Sequence, residues 1–379
     1  MRVKRILAII LVMILPFTTN AFCSDEPLVS AKAAVCIEYY TGEVIFQKSA
    51  NEKLPMASTT KLMTALTTLK LEQNLQREFV IPKAATAIEG SSMYLEEGEI
   101  LTIEELLYGL MLVSGNDAAT ALAIAICGNE ATFVQNMNKV ARDMGLLNTN
   151  FTNTTGLYDE NHYTTALELA KIASKAASHQ KLKEIMATKS KVITARGAVK
   201  THSLTNHNRM LSSYRYCVGG KTGFTEKAGR CLVEIGLKDD KRVITVTLND
   251  RDDWQDHEKM LEYCFDKINY LNEFEEGEFT KEINVINGSK NKVTIENSEV
   301  LQNIIINNKK GEYKTTIYSD NMLFAPLIKG ECVGVVDLVL DNKILSSSKL
   351  ILKESIDILP PLTGYKKLLI NFLNIIEFL

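Results

Sequence analysis

The first 270 residues open and close in strands and fill the middle with helices, and this constrains the fold more than any other feature. Residues 34–39 and 44–47 are β-rich runs flanking Thr41-Gly42-Glu43, the pattern of a hairpin. A second pair, residues 232–237 and 242–248, flanks the polar turn Lys238–Lys241 in the same way. Between them the apolar period is helical. Leu62, Ala65, Leu66 and Leu69 follow Pro55 at helical spacing, in a helix starting near Ser58. Thr102-x-x-Glu105 is a capping box, with Leu106, Leu107, Leu110 and Met111 on the buried side of the helix it opens. Ser114-Gly115-Asn116 interrupts that helix. A small-residue helix follows over 117–127, with Gly128 as its C-cap. Residues 129–144 and 165–177 also read as helices, and a last one ends over 263–271. A sheet drawn from both ends of such a chain, layered with the intervening helices, is the expected mixed α/β architecture.

Composition shifts at residues 273–278, which are rich in glutamate. Beyond them come short β-branched runs at 282–285, 300–306, 314–318 and 333–340. Asn287-Gly288, Lys310-Gly311 and Lys329-Gly330 mark turns, giving a small β domain. Pro360-Pro361 sets off a tail, 365–379. There Lys367, Asn371, Asn374 and Glu377 form one narrow polar stripe among nine large apolar residues. The tail is too short to span a bilayer but suits a helix lying in a membrane interface. At the other end, Lys4 and Arg5 precede an apolar run, Ile6 to Phe17, and Ala21 offers a small residue for cleavage. Residues 1–21 therefore read as a signal peptide. A lipid anchor on Cys23 is less well supported, since bulky Phe22 precedes it.

Three short motifs carry the chemistry: Ser58-Thr59-Thr60-Lys61, Ser114-Gly115-Asn116 and Lys221-Thr222-Gly223. S-x-x-K alone says little, because it recurs at Ser178/Lys181, Ser289/Lys292 and Ser346/Lys349. Order and context raise the signal: none of those three is followed by S-x-N and K-T-G in sequence. The decoy Ser319-Asp320-Asn321 lies after the single K-T-G. Ser58 at a helix start has unpaired backbone N–H groups beside it and the helix dipole behind it. Lys61 lies over the same face and reaches the Ser58 hydroxyl. It serves as a base if burial and a nearby cation, Lys221, lower its pKa. Ser114 is positioned to pass a proton to a leaving amine, and Asn116 to bind a substrate amide. Lys221 and Thr222 suit a carboxylate, and Gly223 permits close backbone approach. The N–H of Phe224, with that of Ser58, would form an oxyanion hole. Taken singly, Ser58 is an ordinary N-cap, Ser114–Asn116 an inter-helix turn, and Lys221 an edge-strand lysine.

This chain resembles the low-molecular-mass penicillin-binding proteins that act as D-alanyl-D-alanine carboxypeptidases, the peptidase S11 type. The resemblance extends over residues 53–64, 110–119, 153–162 and 220–229, and coarsely over 28–379. It implies a penicillin-binding/serine β-lactamase-like transpeptidase fold, with a five-stranded antiparallel sheet and helices on both faces, and a small C-terminal all-β domain. The implied segments are a catalytic domain over 28–272, a β domain over 275–358 and an amphipathic anchoring helix over 362–379. Ser58 would be acylated, Lys61 its base and Ser114 catalytic. Asn116, Lys221, Thr222, Gly223 and Phe224 would bind substrate, with no metal or cofactor. The implied substrates are peptidoglycan stem peptides ending in D-Ala-D-Ala, with β-lactams as acylating inhibitors. The implied location is the outer face of the cytoplasmic membrane. The chain departs from the family where K-T-G is followed by Phe224 rather than His. It also lacks a clear counterpart of the family's carboxylate-binding arginine, Arg251 being the nearest candidate.

A net charge of −3 without a basic block argues against nucleic-acid binding. His162, His179, His202, His207 and His257 show no metal-ligand spacing and read as structural. The seven cysteines form no C-x-x-C and read as buried thiols, with Cys217–Cys231 the one candidate bridge. A class A-like β-lactamase would need a carboxylate to drive deacylation, and none stands out between Asn116 and Lys221. A non-catalytic penicillin-binding sensor or wall-anchoring module would not need the intact motifs.

Overall fold

The computed structural model describes residues 26–197, 200–310, 312–340 and 342–359. The proposed signal peptide, Cys23 and the tail at 362–379 lie outside them. Five strands form the central sheet: β1 (Ala33–Glu38), β2 (Val44–Lys48), β3 (Cys217–Thr225), β4 (Gly229–Lys238) and β5 (Lys241–Asp250). Their order is β2-β1-β5-β4-β3, with every pair antiparallel. The sheet is thus built from both chain ends, as the pattern of periods predicts. All six residues of β1 are buried, because the sheet is covered on both faces. Val35 and Ile37 enter the larger core with Val233, Ile244 and Val246, while Ala34 and Cys36 enter a second core with Leu232 and Val243.

Among the described residues, seven helices of eight residues or more flank the sheet: α1 (Lys61–Leu71), α2 (Ile103–Leu112), α3 (Asn116–Cys127), α4 (Glu130–Asp143), α5 (Ala166–Ser178), α6 (Gln180–Ala187) and α7 (Asp253–Lys267). Helix α5 packs on β1 and β5, with α1 to α4 beyond it, and α7 covers the opposite face. The Thr102/Glu105 capping box forms in both directions, and Gly128 ends α3 at φ 77°. His257 of α7 spans Thr245 and Thr247 of β5, at 2.7 and 3.0 Å, which fastens the helix to the sheet.

Several regions differ from the sequence expectation, among them a short strand pair, Glu78–Val80 with Ile100–Thr102, within the stretch expected to be helical. Strands return well before residue 232, in a small hairpin pairing Ser190–Ala195 with Lys200–Thr205 just after α6. The last helix stops at Lys267, and Ile268–Phe274 continues as a strand paired with Leu301–Ile306. Ile268 packs with Ile304 and Ile306 in the second core, so tertiary burial overrides a run that is ambiguous locally.

Six further strands form one sheet in the order Lys314–Ser319, Cys332–Leu340, Lys343–Leu352, Lys292–Asn297, Thr280–Ile286, Met322–Phe324. Its own core contains Ile283, Ile295, Val336, Leu338 and Leu350. The six described cysteines are free, and Cys217 and Cys231 are not bridged: they stand opposite Gly236 and Gly223 respectively, well apart along the strands. Among the described residues no helix is long and apolar enough to cross a membrane.

Candidate active site

Ser58 lies in a single 3-10 turn, Ala57–Thr60, directly before α1. It is therefore not the N-cap serine of an α-helix, and it makes no capping bond. Threonines hold the turn instead. Thr59 Oγ1 donates to Met56 O at 2.6 Å and Thr60 Oγ1 to Ala57 O at 2.8 Å. His162 Nε2 lies 2.8 Å from Thr60 Oγ1, so this histidine supports the turn as a structural residue. Two glycines let other elements close on it. A Cβ at Gly156 (φ 87°) would fall 1.9 Å from Ala57 O. A Cβ at Gly223 would fall 2.9 Å from Ser58 N and 3.0 Å from Thr59 N. What Gly223 admits first is thus the turn that carries Ser58.

Lys61 opens α1 and is fully buried. Its Nζ donates to Ser58 Oγ at 2.9 Å, Asn116 Oδ1 at 2.7 Å and Thr155 O at 2.7 Å. Burial holds its pKa well below the usual lysine range, the charge of Lys221 pushes the same way, and Asp117 opposes them. As a neutral amine, Nζ keeps its two N–H donors on Asn116 Oδ1 and Thr155 O and turns its lone pair to the Ser58 hydroxyl, which then donates to it. Lys221 on β3 is buried too, and desolvation lowers its pKa to about 7. Its Nζ donates to Thr222 O at 2.8 Å.

Ser114 takes a left-handed φ of 58°, unusual outside glycine, between α2 and α3. Its Oγ is buried and has no protein partner. Asn116, expected to hold a substrate amide, has both ends engaged within the protein: Oδ1 accepts from Lys61, and Nδ2 donates to Glu89 O at 2.6 Å. Asp117 is a missed organiser. Its carboxylate accepts from Met93 N, Leu95 N and Ser92 Oγ at 3.1, 2.9 and 2.6 Å, pinning the loop that carries Ser91.

A cleft of about 270 Å³ joins these parts. Ser58, Ser114, Thr222, Gly223 and Phe224 line it, with Ser91, His207, Arg230, Asp253 and Trp254. A larger cavity, about 560 Å³ beside Leu66, Val140 and His179, holds none of the three motifs. His207 is therefore at the site rather than remote from it. Partial desolvation lowers its pKa, and Lys221 and Lys61 add to this. Arg230 faces Phe224 across the β3–β4 pair, with its Nε 3.8 Å from Asp253 Oδ1. The Arg209 guanidinium lies 4.7 Å over the Trp254 ring. Arg251 is exposed and is not among the lining residues. Arg230 is within reach of sequence reasoning through hairpin register: residues 225–229 close β3 onto β4 and set position 230 opposite 224. Among the described residues no cluster of His, Cys, Asp or Glu could hold a metal ion.

Residues 20–252 match the peptidase S11 family, described as D-alanyl-D-alanine carboxypeptidase. The chain belongs to this family. Residues 271–357 match the C-terminal domain of penicillin-binding protein 5. Similar proteins include the D-alanyl-D-alanine carboxypeptidase DacF of Bacillus subtilis, 32% identical over 93% of this chain and 94% of that one. DacC of Escherichia coli is 31% identical over 90% of this chain and 89% of that one. Among solved structures, penicillin-binding protein 5 from Haemophilus influenzae superposes with a TM-score of 0.63 at 28% identity, covering 87% of this chain and 98% of that one. The S11 fold expected from the motifs is thus present, and the protein is a serine-type D-alanyl-D-alanine carboxypeptidase of the penicillin-binding class.

Proposed function

We propose that this carboxypeptidase removes the terminal D-alanine of peptidoglycan stem pentapeptides through an acyl-enzyme on Ser58, with Lys61 as the base. The observation that carries the reading is the 2.9 Å contact between a buried, charge-disfavoured Lys61 Nζ and Ser58 Oγ. Neutral Lys61 takes the Ser58 proton as Oγ attacks the carbonyl of the penultimate D-alanine. The backbone N–H groups of Ser58 and Phe224 receive the oxyanion. Ser114, whose hydroxyl is otherwise unpartnered, hands its proton to the leaving amine as the C–N bond breaks and takes in its place the proton held on Lys61, which returns to the neutral amine. Water then attacks the ester, neutral Lys61 accepts its proton, and the same proton passes to Ser58 Oγ as the ester C–O bond breaks, which frees the carboxylic acid product and restores the serine and the amine. Lys221, Thr222 and Arg230 receive the substrate's terminal carboxylate. That anion supplies the counter-charge Lys221 lacks and holds it cationic, and a cationic Lys221 in turn keeps Lys61 neutral. β-Lactams acylate the same serine.

Export through residues 1–21 and attachment through 362–379 would seat the enzyme peripherally on the outer face of the cytoplasmic membrane, where its substrate lies. Lys61→Arg tests the core of the mechanism. Arginine is permanently charged and cannot lose its proton to act as a base. Acylation by fluorescent penicillin should slow by about a hundredfold or more while the fold persists, since general-base catalysis contributes roughly 10²–10⁴. Near-normal acylation would mean that another group activates Ser58.

A further inference from the structure

Seven large apolar side chains are exposed among the described residues beyond 275, and five of them gather at one edge of the β domain: Met322, Phe324, Ile328, Ile358 and Leu359. Met322–Phe324 is the outermost strand of the six-stranded sheet, with Phe324 opposite Ile286. The chain's last described residues return to the same edge. Leu359 N donates to Asn287 O at 2.7 Å, Ile358 bridges to Gly288, and Ile356 bridges to Leu327. Along these runs the residues alternate. Leu323, Leu327 and Ile356 turn inward to the core, while Phe324 and Ile328 are 65% and 68% exposed. A period of two that spends its outward positions on Phe and Ile, rather than on polar residues, leaves an apolar edge facing outward.

We propose that this edge is a second membrane-docking surface, entering the headgroup layer of the bilayer beside the C-terminal tail. The proposal rests on the reading that the tail lies in that layer. Leu359 adjoins the patch, and the tail's amphipathic stretch begins at Tyr365. Six residues reach at most about 20 Å, so a tail in the interface brings the patch to the same surface. Charge does not drive the contact. Lys290 and Lys329 flank the patch, but Lys290 is paired with Glu354, and Asp320, Glu331 and Asp357 are also near in sequence. Apolar burial drives it, so salt should affect it weakly.

The test uses the mature full chain and phosphatidylcholine/phosphatidylglycerol vesicles. The protein has a single tryptophan, Trp254, so a Phe324→Trp variant reports its new indole as the difference from the parent. Vesicles should blue-shift that difference emission, and bromine-labelled acyl chains should quench it. The doubly substituted Phe324→Asp, Ile328→Asp chain should bind vesicles roughly tenfold more weakly or worse, with D-alanine release from a small peptide unchanged. A vesicle-bound Phe324→Trp protein whose new indole stays in water overturns the proposal. So does an indole shielded without lipid, whether deleting 362–379 exposes it, in which case the tail covers the patch, or dilution does, in which case a second copy does. Deleting 362–379 separates the two readings. If binding and quenching both survive the deletion, the tail reading fails and the patch stands. If binding is lost, and the new indole was never quenched in the full chain, the tail stands and the patch fails.

Discussion

Arg230 and Arg251 divide the question of how the substrate carboxylate is held. Arg230 lines the cleft, and its ion pair with Asp253 is a loose 3.8 Å, so its guanidinium has donors to spare. Arg230→Ala should raise KM for a peptide ending in D-Ala-D-Ala by about tenfold, the scale of one charged hydrogen bond, while acylation by a reactive β-lactam falls less. Arg251→Ala should leave both unchanged, and steady-state kinetics on the two variants decides between them. At this scale the sequence is most legible where chemistry forces residue type and spacing. Ser58, Lys61, Ser114, Thr222 and Gly223 are all read from motifs and all meet in or beside one cleft. Arg230, His207 and Trp254 belong to no motif and reach the cleft through strand register and loop path.

The elements around Ser58 work by close approach. The loop carrying Thr155 and Gly156 supplies a carbonyl to Lys61 and lies against Ala57 so tightly that no side chain fits at 156. Gly156→Ala adds both a clash with backbone and a strained φ of 87°. It should cost about 1–3 kcal/mol of stability, and slow penicillin acylation by displacing the serine turn. A melt paired with an acylation time course checks both, and an unchanged acylation rate would show that the turn does not depend on this contact. Element boundaries follow the strength of the local signal. The capping box, the Gly128 stop and both sheet hairpins are readable because their cues are local. Helix α6 and the Ser190–Ala195 hairpin are not, since α6 offers only Leu182, Ile185 and Met186 as large apolar residues over its eight, and the hairpin strands bury only two residues each among polar ones. Residues 268–271 read as helix but form a strand, because burial against Ile304 and Ile306, far along the chain, decides their state.

For the whole molecule, buried titrating groups set the pH dependence of stability. His257 and His162 have pKa values lowered by burial to about 3 and about 4. They stay neutral in the fold, so stability is full above the ordinary histidine pKa and is lost as pH falls from about 6.5 toward those values. Glu234 has the opposite sign. Burial raises its pKa to about 8, so its folded carboxyl is neutral, and stability is lost as pH rises from about 4.5 toward 8. These windows overlap, so the parent's total slope mixes them, and only variant-minus-parent differences separate them. The stability deficit of His257→Gln should shrink as pH falls from about 6.5 to about 4. Glu234→Gln should gain on the parent as pH rises from about 4.5 to about 8. Denaturant melts across this range measure both, and parallel curves would contradict the buried neutral states. The central claim is that a single serine, Ser58, carries the acyl group for both substrate and penicillin. The direct measurement is intact-mass and peptide mapping of the penicillin-treated protein, alongside D-alanine release from a peptide ending in D-Ala-D-Ala. One acyl group on the Ser58 peptide, with both labelling and D-alanine release lost in Ser58→Ala, is the predicted result; an acyl group on Ser178, Ser289 or Ser346, or D-alanine release that survives Ser58→Ala, would contradict it.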